Sequence, residues 1–182
     1  TTGENCCKGV WNYKKYIGIP KGILKKYPDR IKLVSGDFSP CDGVYLIPHK
    51  TPGLEKKGIR EHMYLKEKRR WKPDSFSHEQ SLVFDTPNGL VIFNSCSHGG
   101  ADTIIREVTA TFPDKKVKAL IGGFHLYNKT DAEILALAEG IRSTGISEIY
   151  TGHCTGDHAF DLLKETLGES VHKLHAGLVM EF

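Results

Sequence analysis

Apolar and polar residues follow strand and helix periods most clearly in the second half of the chain. Two β-rich runs, SLVFDT and GLVIFNSC, flank the turn sequence PNG, which predicts a hairpin. Helical stripes follow in ADTIIREVTATF, from Asp131 to Arg142 and from Asp157 to Leu167, and the strand-like runs VKALIGG and EIYTG separate them. VHKLHAGLVMEF ends the chain in β character. The predicted order is therefore ββαβαβαβ.

The pattern is weaker in the first part of the chain, where Gly, Pro and Lys recur at short intervals. KGILKKY, after Pro20, predicts a short helix, while RIKLVSG and GVYLIPH predict strands on either side of the turn-rich DFSPCDG. A chain of 182 residues is long enough to bury one sizeable core. We therefore predict one domain over 1–182, with an irregular, insert-like region over 1–73 and a β/α half-sandwich over 74–182.

Three histidines each close an apolar run and precede a helical one. They are His98 in GLVIFNSCSHGG, His125 in KALIGGFHL and His153 in EIYTGHCTG. A single loop histidine is as readily a surface residue or a hydrogen-bonded structural group as a ligand. In one α/β sheet, however, these loops would lie along a common strand-end edge, where such folds bind ligands. The shared placement favours a metal site, with the three residues within about 10 Å of one another.

Other residues near these loops allow both functional and structural interpretations. His125 could be a metal ligand, an acid/base or an oxyanion donor, and His78 in FSHEQ is either a ligand or structural. Thr155 and Gly156 open the last helix, where free backbone amides could hold a substrate anion such as phosphate. Thr155 could equally be an ordinary helix cap.

The net charge of +3 is too small to indicate nucleic acid by itself. The segment KKGIREHMYLKEKRRWK, residues 56–72, is nevertheless densely basic. It is either a solvated face or a positive rim that attracts an anionic, phosphate-bearing small molecule. RNA binding would use the same chemistry, but no nucleic-acid-binding module accompanies the segment, so nucleic acid is not expected. The oligomeric state is left open.

The five cysteines are odd in number and form no CxxC motif, which favours free thiols in a reducing, cytoplasmic compartment. No apolar run approaches the roughly 20 residues of a membrane span, and no apolar secretory segment is present, so membrane association is not expected. Cys96 and Cys154 each lie within two residues of a highlighted histidine. They are interpreted as small fillers, although both could reach a metal.

From about residue 74 to 182 the chain resembles the C-terminal half of metallo-β-lactamase-fold hydrolases. It is most similar to their dihydropterin–ribofuranosylaminobenzene-phosphate synthase-like subgroup. The similarity rests on F-x-H-E-Q-S-L, GLVIFNSCSHGG, GGFHL and GHCTG, in that order. It implies an αββα sandwich with one or two metal ions at the sheet edge. Zinc is the expected metal, with manganese or iron as alternatives for a histidine-rich site.

The resemblance also implies roles for individual residues. His153 falls on the last metal-binding histidine of the family, and His78 lies near a histidine that many relatives carry before the hairpin. His98 falls on the strand end that usually presents a bridging aspartate, a departure because one imidazole nitrogen cannot bridge two metals. His125 belongs to the subgroup motif, where a substrate or acid/base role is implied. The expected metal set is thus His98, His153 and His78, with His125 catalytic.

The family's main signature, H-x-H-x-D-H, does not occur in the 182 residues. Relatives are longer at the N-terminus, and the chain starts at Thr1 rather than Met. The resemblance therefore predicts an N-terminally truncated metallo-β-lactamase-like fold that lacks part of its metal shell. Metal affinity and activity would be weak in such a fragment and strong in the longer protein.

The leading hypothesis is a metal-dependent hydrolase that activates water on an ester, phosphoester or lactone. A second hypothesis is a thiol enzyme with Cys154 or Cys96 as nucleophile and a histidine as base. His153 is a poor base for Cys154, because neighbours at a strand end usually point in different directions. A third is a non-catalytic phosphate- or nucleic-acid-binding module that uses Arg69, Arg70 and Trp71.

Overall fold

The computed structural model describes residues 5–11 and 13–182. Its contacts divide the chain into two compact units, each described by itself below. Unit 1 comprises the described residues up to Gly36 together with Pro48–Glu79, and unit 2 comprises Asp37–Ile47 and Gln80–Phe182. The expectation of one domain stays a prediction. Among the described residues, no helix is both long and apolar enough to cross a membrane.

The chain forms eleven strands and five α-helices over these residues. The strands are β1 (Cys6–Val10), β2 (Tyr13–Tyr16), β3 (Phe38–Cys41), β4 (Val44–Pro48), β5 (Met63–Glu67), β6 (Arg70–Pro73), β7 (Gln80–Thr86), β8 (Gly89–Cys96), β9 (Val117–Gly123), β10 (Glu148–Gly152) and β11 (Val171–Lys173). The helices are α1 (Ile23–Lys26), α2 (Glu55–Arg60), α3 (Ala101–Thr111), α4 (Asp131–Arg142) and α5 (Asp157–Leu167).

Unit 1 contains an antiparallel sheet in the order β2-β1-β5-β6, with a small core of Leu54, Met63 and Phe76. This regularity corrects the expectation of an irregular region over 1–73. Its strands are only four or five residues long and carry many charged side chains, so no clear alternation of apolar residues marks them.

Of the two strands predicted in the first part of the chain, one is present and one is not. GVYLIPH contains β4, and the predicted helix after Pro20 is α1. RIKLVSG is not a strand: the chain makes a 3-10 turn at Pro28–Arg30 and then continues without regular structure. Leu33 in this run is 50% exposed, so its apolar residues do not mark a buried strand face.

Unit 2 contains a seven-stranded sheet in the order β11-β10-β9-β8-β7-β4-β3. β7 and β8 form the predicted antiparallel hairpin, and β8 to β11 are parallel to one another, with α3, α4 and α5 as the connections. The predicted order ββαβαβαβ is confirmed. Only Val171–Lys173 of the C-terminal run is a strand, however.

Alternation along the parallel strands separates two apolar faces of this sheet. Leu90, Ile92 and Leu120 lie in the main core with the apolar sides of α3, α4 and α5, whereas Val91 and Ile121 belong to a second cluster. The predicted capping box of α4 is present, since Thr130 and Glu133 each bond to the other's backbone N–H. The three helices therefore cover one face of the seven-stranded sheet. The parallel register of the strands fixes where their ends lie relative to one another.

Candidate functional site

The ends of β8, β9 and β10 lie side by side in register. Cys96 at the end of β8 is paired with Gly123 of β9, which is in turn paired with Gly152 of β10. Because the three strands are parallel, the residues that follow them emerge at one edge of the sheet. His98, His125 and His153 are these residues, so the expected common placement is confirmed.

Close packing and an unusual backbone bring the side chains together at this edge. A Cβ at Gly123 would lie 2.7 Å from Cys154 Sγ and 2.8 Å from the Ser95 carbonyl oxygen, so only glycine fits. His125 and His153 have φ values of 51° and 52°, in the left-handed region that non-glycine residues rarely adopt. Such strain persists only where the surroundings enforce it, and it concentrates at functional sites.

The histidine rings differ in environment. The His98 and His125 ring centroids are 4.5 Å apart, and the His125 and Tyr127 centroids are 5.1 Å apart with the rings edge to face. His125 is buried, His98 is half-buried and His153 is exposed. The His153 ring lies against Gly123, with Cδ2 3.3 Å from where a Cβ would be. We call Cys96, His98, His125, His153 and Cys154 the edge cluster.

Two thiols of the edge cluster form a metal-compatible group with His125. The ligand atoms of Cys96, His125 and Cys154 all lie within 4.8 Å of one another, and the two Sγ atoms are 3.4 Å apart. The backbone N–H of His125 also donates to Cys154 Sγ at 3.2 Å. Two sulfur ligands at about 2.3 Å from a tetrahedral zinc lie about 3.8 Å apart. These side chains therefore fit the metal that the family implies.

The sequence analysis favoured Cys96 and Cys154 as small fillers that could reach a metal, and the structure shows how they could have been assigned to the site. Cys96 is the last residue of β8, and Cys154 follows the end of β10 by two residues. A strand-end argument applied to cysteine as it was to histidine would have placed both thiols at the same edge. That the two sulfurs converge depends on the parallel register, which composition does not show.

Thr155 has a structural role in this arrangement. Its side chain is fully buried, and its hydroxyl accepts from the Phe124 N–H at 3.1 Å and shares a 2.6 Å hydrogen bond with the Thr151 hydroxyl. Gly156 precedes α5 with φ of 81°, and no side chain caps that helix. The prediction that Thr155 and Gly156 bind a substrate anion therefore depends on backbone amides, not on the Thr155 hydroxyl.

His78 belongs to unit 1, and its contacts are with Asp74 and Cys6. His78 Nε2 lies 2.9 Å from Asp74 Oδ2 and 3.7 Å from Cys6 Sγ. Burial alone would lower the pKa of His78, but the hydrogen bonds to Asp74 and Cys6 outweigh it and raise the pKa to about 10. In the metal-free protein the ring is therefore a cation at neutral pH.

We expect the His78 ring of metal-free protein to stay protonated up to about pH 10, as an NMR titration of its ring protons would show. Because this pKa is raised above the usual value, the ion pair stabilises the fold fully below about pH 6.5 and is lost as the pH rises through 10. Asp74→Asn removes the carboxylate charge and should bring the pKa down markedly. An unchanged titration in Asp74→Asn would contradict this assignment.

The basic segment begins in α2 and continues into a hairpin of β5 and β6, here called the basic hairpin (residues 63–73). A groove at its turn is lined by Asn5, Lys66, Glu67, Lys68, Arg69, Arg70 and Lys72. Lys14 lies over the rings of Tyr64 and Trp71, with its Nζ 4.6 Å and 5.4 Å from their centroids. The segment is thus a structured positive surface of unit 1.

Comparison with known proteins finds proteins similar to this chain, although no protein-family model matches it. Over 120 residues, 66% of the chain, it is 33% identical to 7,8-dihydropterin-6-methyl-4-(β-D-ribofuranosyl)-aminobenzene-5′-phosphate synthase of Methanocaldococcus jannaschii. The matched region covers 41% of that synthase, so the chain spans less than half of this relative.

A solved structure is similar over a larger share of the chain. The crystal structure of a metal-dependent hydrolase of the β-lactamase superfamily matches with a TM-score of 0.73 and 28% identity, over 82% of this chain and 57% of that one. The predicted α/β class is confirmed by this likeness. The sequence motifs, the parallel strand-end edge and these two relatives all indicate the same fold. In fold the chain is similar to a metal-dependent hydrolase of the β-lactamase superfamily, and in sequence it is similar to the dihydropterin–ribofuranosylaminobenzene-phosphate synthase.

Proposed function

We propose that the protein is a metal-dependent hydrolase whose reaction centre is the edge cluster. The observation that carries the proposal is the convergence of imidazoles and thiols at the ends of three adjacent parallel strands. Supporting it, the similar solved structure is of a metal-dependent hydrolase, although the curated relative is a synthase. The five free cysteines support a reducing, cytoplasmic setting as part of the same proposal.

His98 and His153 are the proposed imidazole ligands, and Cys96 and Cys154 are the thiolates that would complete their donor set. A mixed set of nitrogen and sulfur donors suits zinc better than manganese, which prefers oxygen. When bound, the ion lowers the pKa of a coordinated water toward neutrality and polarises a carbonyl or phosphoryl oxygen. The two thiolates would also supply negative charge that balances the charge of the ion.

His125 is proposed to move protons. Its ring is buried between His98 and Tyr127, and its backbone is held in the left-handed region by the bond to Cys154. An imidazole fixed in this way can remove a proton from the attacking water or give one to the leaving group. The alternative, that the His125 ring binds the metal together with the Cys96 and Cys154 thiolates, predicts a loss of metal when the ring is removed.

The proposed substrate is an anionic small molecule, such as a phosphate-bearing ester, phosphoester or lactone. The basic hairpin gives the protein a positively charged surface, and such surfaces attract anions. The name of the related synthase also includes a phosphate group.

The proposal is tested by removing and restoring metal. The protein is assayed against a panel of carboxylic esters, phosphomonoesters, phosphodiesters and lactones, and its metal content is measured by mass spectrometry. We expect chelation to abolish hydrolysis and Zn²⁺, Mn²⁺ or Fe²⁺ to restore it. Full activity in protein verified to be free of metal would refute the proposal.

A thiol enzyme is the second candidate function, because His125 is a better-placed base for Cys154 than His153, which the sequence analysis disfavoured. Cys154 Sγ and a ring nitrogen of His125 lie within 4.8 Å, close enough for the imidazole to activate the thiol after a small movement. Both functions lose activity on alkylation if the cysteines bind metal, so alkylation does not separate them. Chelation does, because a thiol nucleophile keeps its activity without metal.

A further inference from the structure

We propose that Cys6, Asp74 and His78 form a second metal site, within unit 1, that takes a zinc-class divalent ion. These residues share no ligand with the edge cluster, so the inference does not depend on the proposed function. It gives His78 other partners than His98 and His153, whose shared site with His78 stays a prediction. The proposed ion fastens the first strand of unit 1 to the turn that follows β6.

The distances between the three side chains suit a tetrahedral ion. The ligand atoms all lie within 4.8 Å of one another, with His78 Nε2 3.7 Å from Cys6 Sγ and 2.9 Å from Asp74 Oδ2. Around zinc, a nitrogen and a sulfur ligand lie about 3.6 Å apart, and a nitrogen and an oxygen about 3.3 Å. Small side-chain movements would therefore bring all three atoms to bonding distance.

Contacts with the backbone fix the Asp74 side chain before any ion binds. The Asp74 N–H bonds to the Met63 carbonyl oxygen at 3.0 Å, and Gly58 of α2 packs so closely that a Cβ there would lie 2.2 Å from the Asp74 carbonyl oxygen. Asp74 Oδ1 accepts from the Phe76 N–H at 2.7 Å, which leaves Oδ2 directed at His78. The Asp74 side chain is 4% exposed, so its carboxylate is held away from solvent.

The chain reverses direction at Phe76, and this turn brings the His78 ring next to the Asp74 carboxylate. Its ring is fully buried with Leu54 and Met63, and its φ of 56° is a left-handed conformation that a bulky residue adopts only under constraint. The strained turn thus brings residues 74 and 78 together and holds them there. Backbone strain of this kind is often found at functional sites, which is consistent with a ligand site at residues 74 and 78.

A metal also resolves how two polar groups, a thiol and a carboxylate, approach the same ring nitrogen of His78. Cys6 Sγ and Asp74 Oδ2 both approach the same nitrogen, Nε2 of His78, yet a ring N–H points at only one acceptor at a time. An ion in place of that proton is bound by all three groups at once, and it neutralises the carboxylate and the thiolate. Sulfur, nitrogen and oxygen together favour zinc, with its fourth position open to water.

Cobalt substitution tests the site, because a Co²⁺ ion bound to a thiolate has a charge-transfer band in the near ultraviolet. The Cys96→Ser/Cys154→Ser variant of the 182-residue chain removes the edge-cluster thiols and is titrated with Co²⁺ after chelation. We expect one Co²⁺ per chain with a thiolate band. Adding Cys6→Ser should abolish the band, and adding His78→Gln should weaken binding at least tenfold.

Cys7→Ser is the matched control, since its thiol is adjacent in sequence but faces the other side of β1. It should leave the band unchanged. The same comparison of Cys6→Ser and Cys7→Ser in the wild-type background keeps the test valid if the double variant fails to fold. Absence of a thiolate band in the folded double variant, or equal loss with Cys7→Ser, would overturn the site. Neither result bears on hydrolysis at the edge cluster.

Discussion

Replacing His153 by alanine should lower turnover at least about 100-fold and reduce bound metal in the protein that carries the proposed activity. Changes in groups that merely support metal ligands already cost about 10- to 100-fold, and the loss of a ligand should cost no less. The ring is exposed at the end of β10, so its removal leaves no buried cavity to destabilise the fold. Metal content and hydrolysis measured on the same preparation check both parts.

Two further variants make the His153 result specific. His175→Ala removes another exposed histidine, distant in sequence from the strand-end motifs, and should leave metal and turnover unchanged. His153→Asn keeps a residue that tolerates the left-handed backbone, so it separates loss of the ligand from loss of local geometry. Normal metal content and turnover in both His153 variants would exclude His153 as a ligand.

The second half of the fold could be predicted because its signals are local. Apolar runs of five to eight residues, glycine at their ends and amphipathic helices between them specify a parallel βα arrangement with little ambiguity. The same pattern placed His98, His125 and His153 at one edge, because side chains that follow adjacent parallel strands must emerge together. Periodicity therefore located the strand-end edge, and the three histidines marked it as the candidate site.

The contents of the edge cluster could not be predicted in the same way. The approach of the Cys96 and Cys154 sulfurs depends on the pairing of Cys96 with Gly123, and on the space that a missing Cβ leaves at Gly123. Register and close packing are properties of pairs of segments, and a single sequence does not show them. The histidines were recognised because imidazole is a familiar ligand, whereas cysteine also serves as a small buried residue.

The sheet of unit 1 was not predicted from the sequence, for a different reason. Its strands are short and carry many lysine and arginine residues, so their apolar alternation is too weak to separate from that of a loop. Asp74 and His78 are four residues apart, and the spacing resembles one turn of a helix. The structure instead joins them through a strained turn at Phe76, whose left-handed φ is not expected for phenylalanine. Tertiary burial of that ring decides the local conformation.

Replacing His125 should have the largest catalytic effect while leaving the metal in place. If this buried ring transfers a proton, its loss should lower turnover by about 10²- to 10⁴-fold, with metal content close to that of the wild type. His125→Asn is preferred to His125→Ala, because asparagine tolerates the φ of 51° and fills part of the space.

The pH profile separates proton transfer by His125 from a merely structural role. Loss of the acid or base removes one limb of a bell-shaped profile, whereas a distorted site keeps the shape and lowers its height. Cys154→Ser provides the comparison, since the serine preserves size but not the thiolate. Under the proposed mechanism it weakens metal binding, and added metal restores part of the activity. A dead Cys154→Ser enzyme with full metal content would instead identify Cys154 as the nucleophile and His125 as its base.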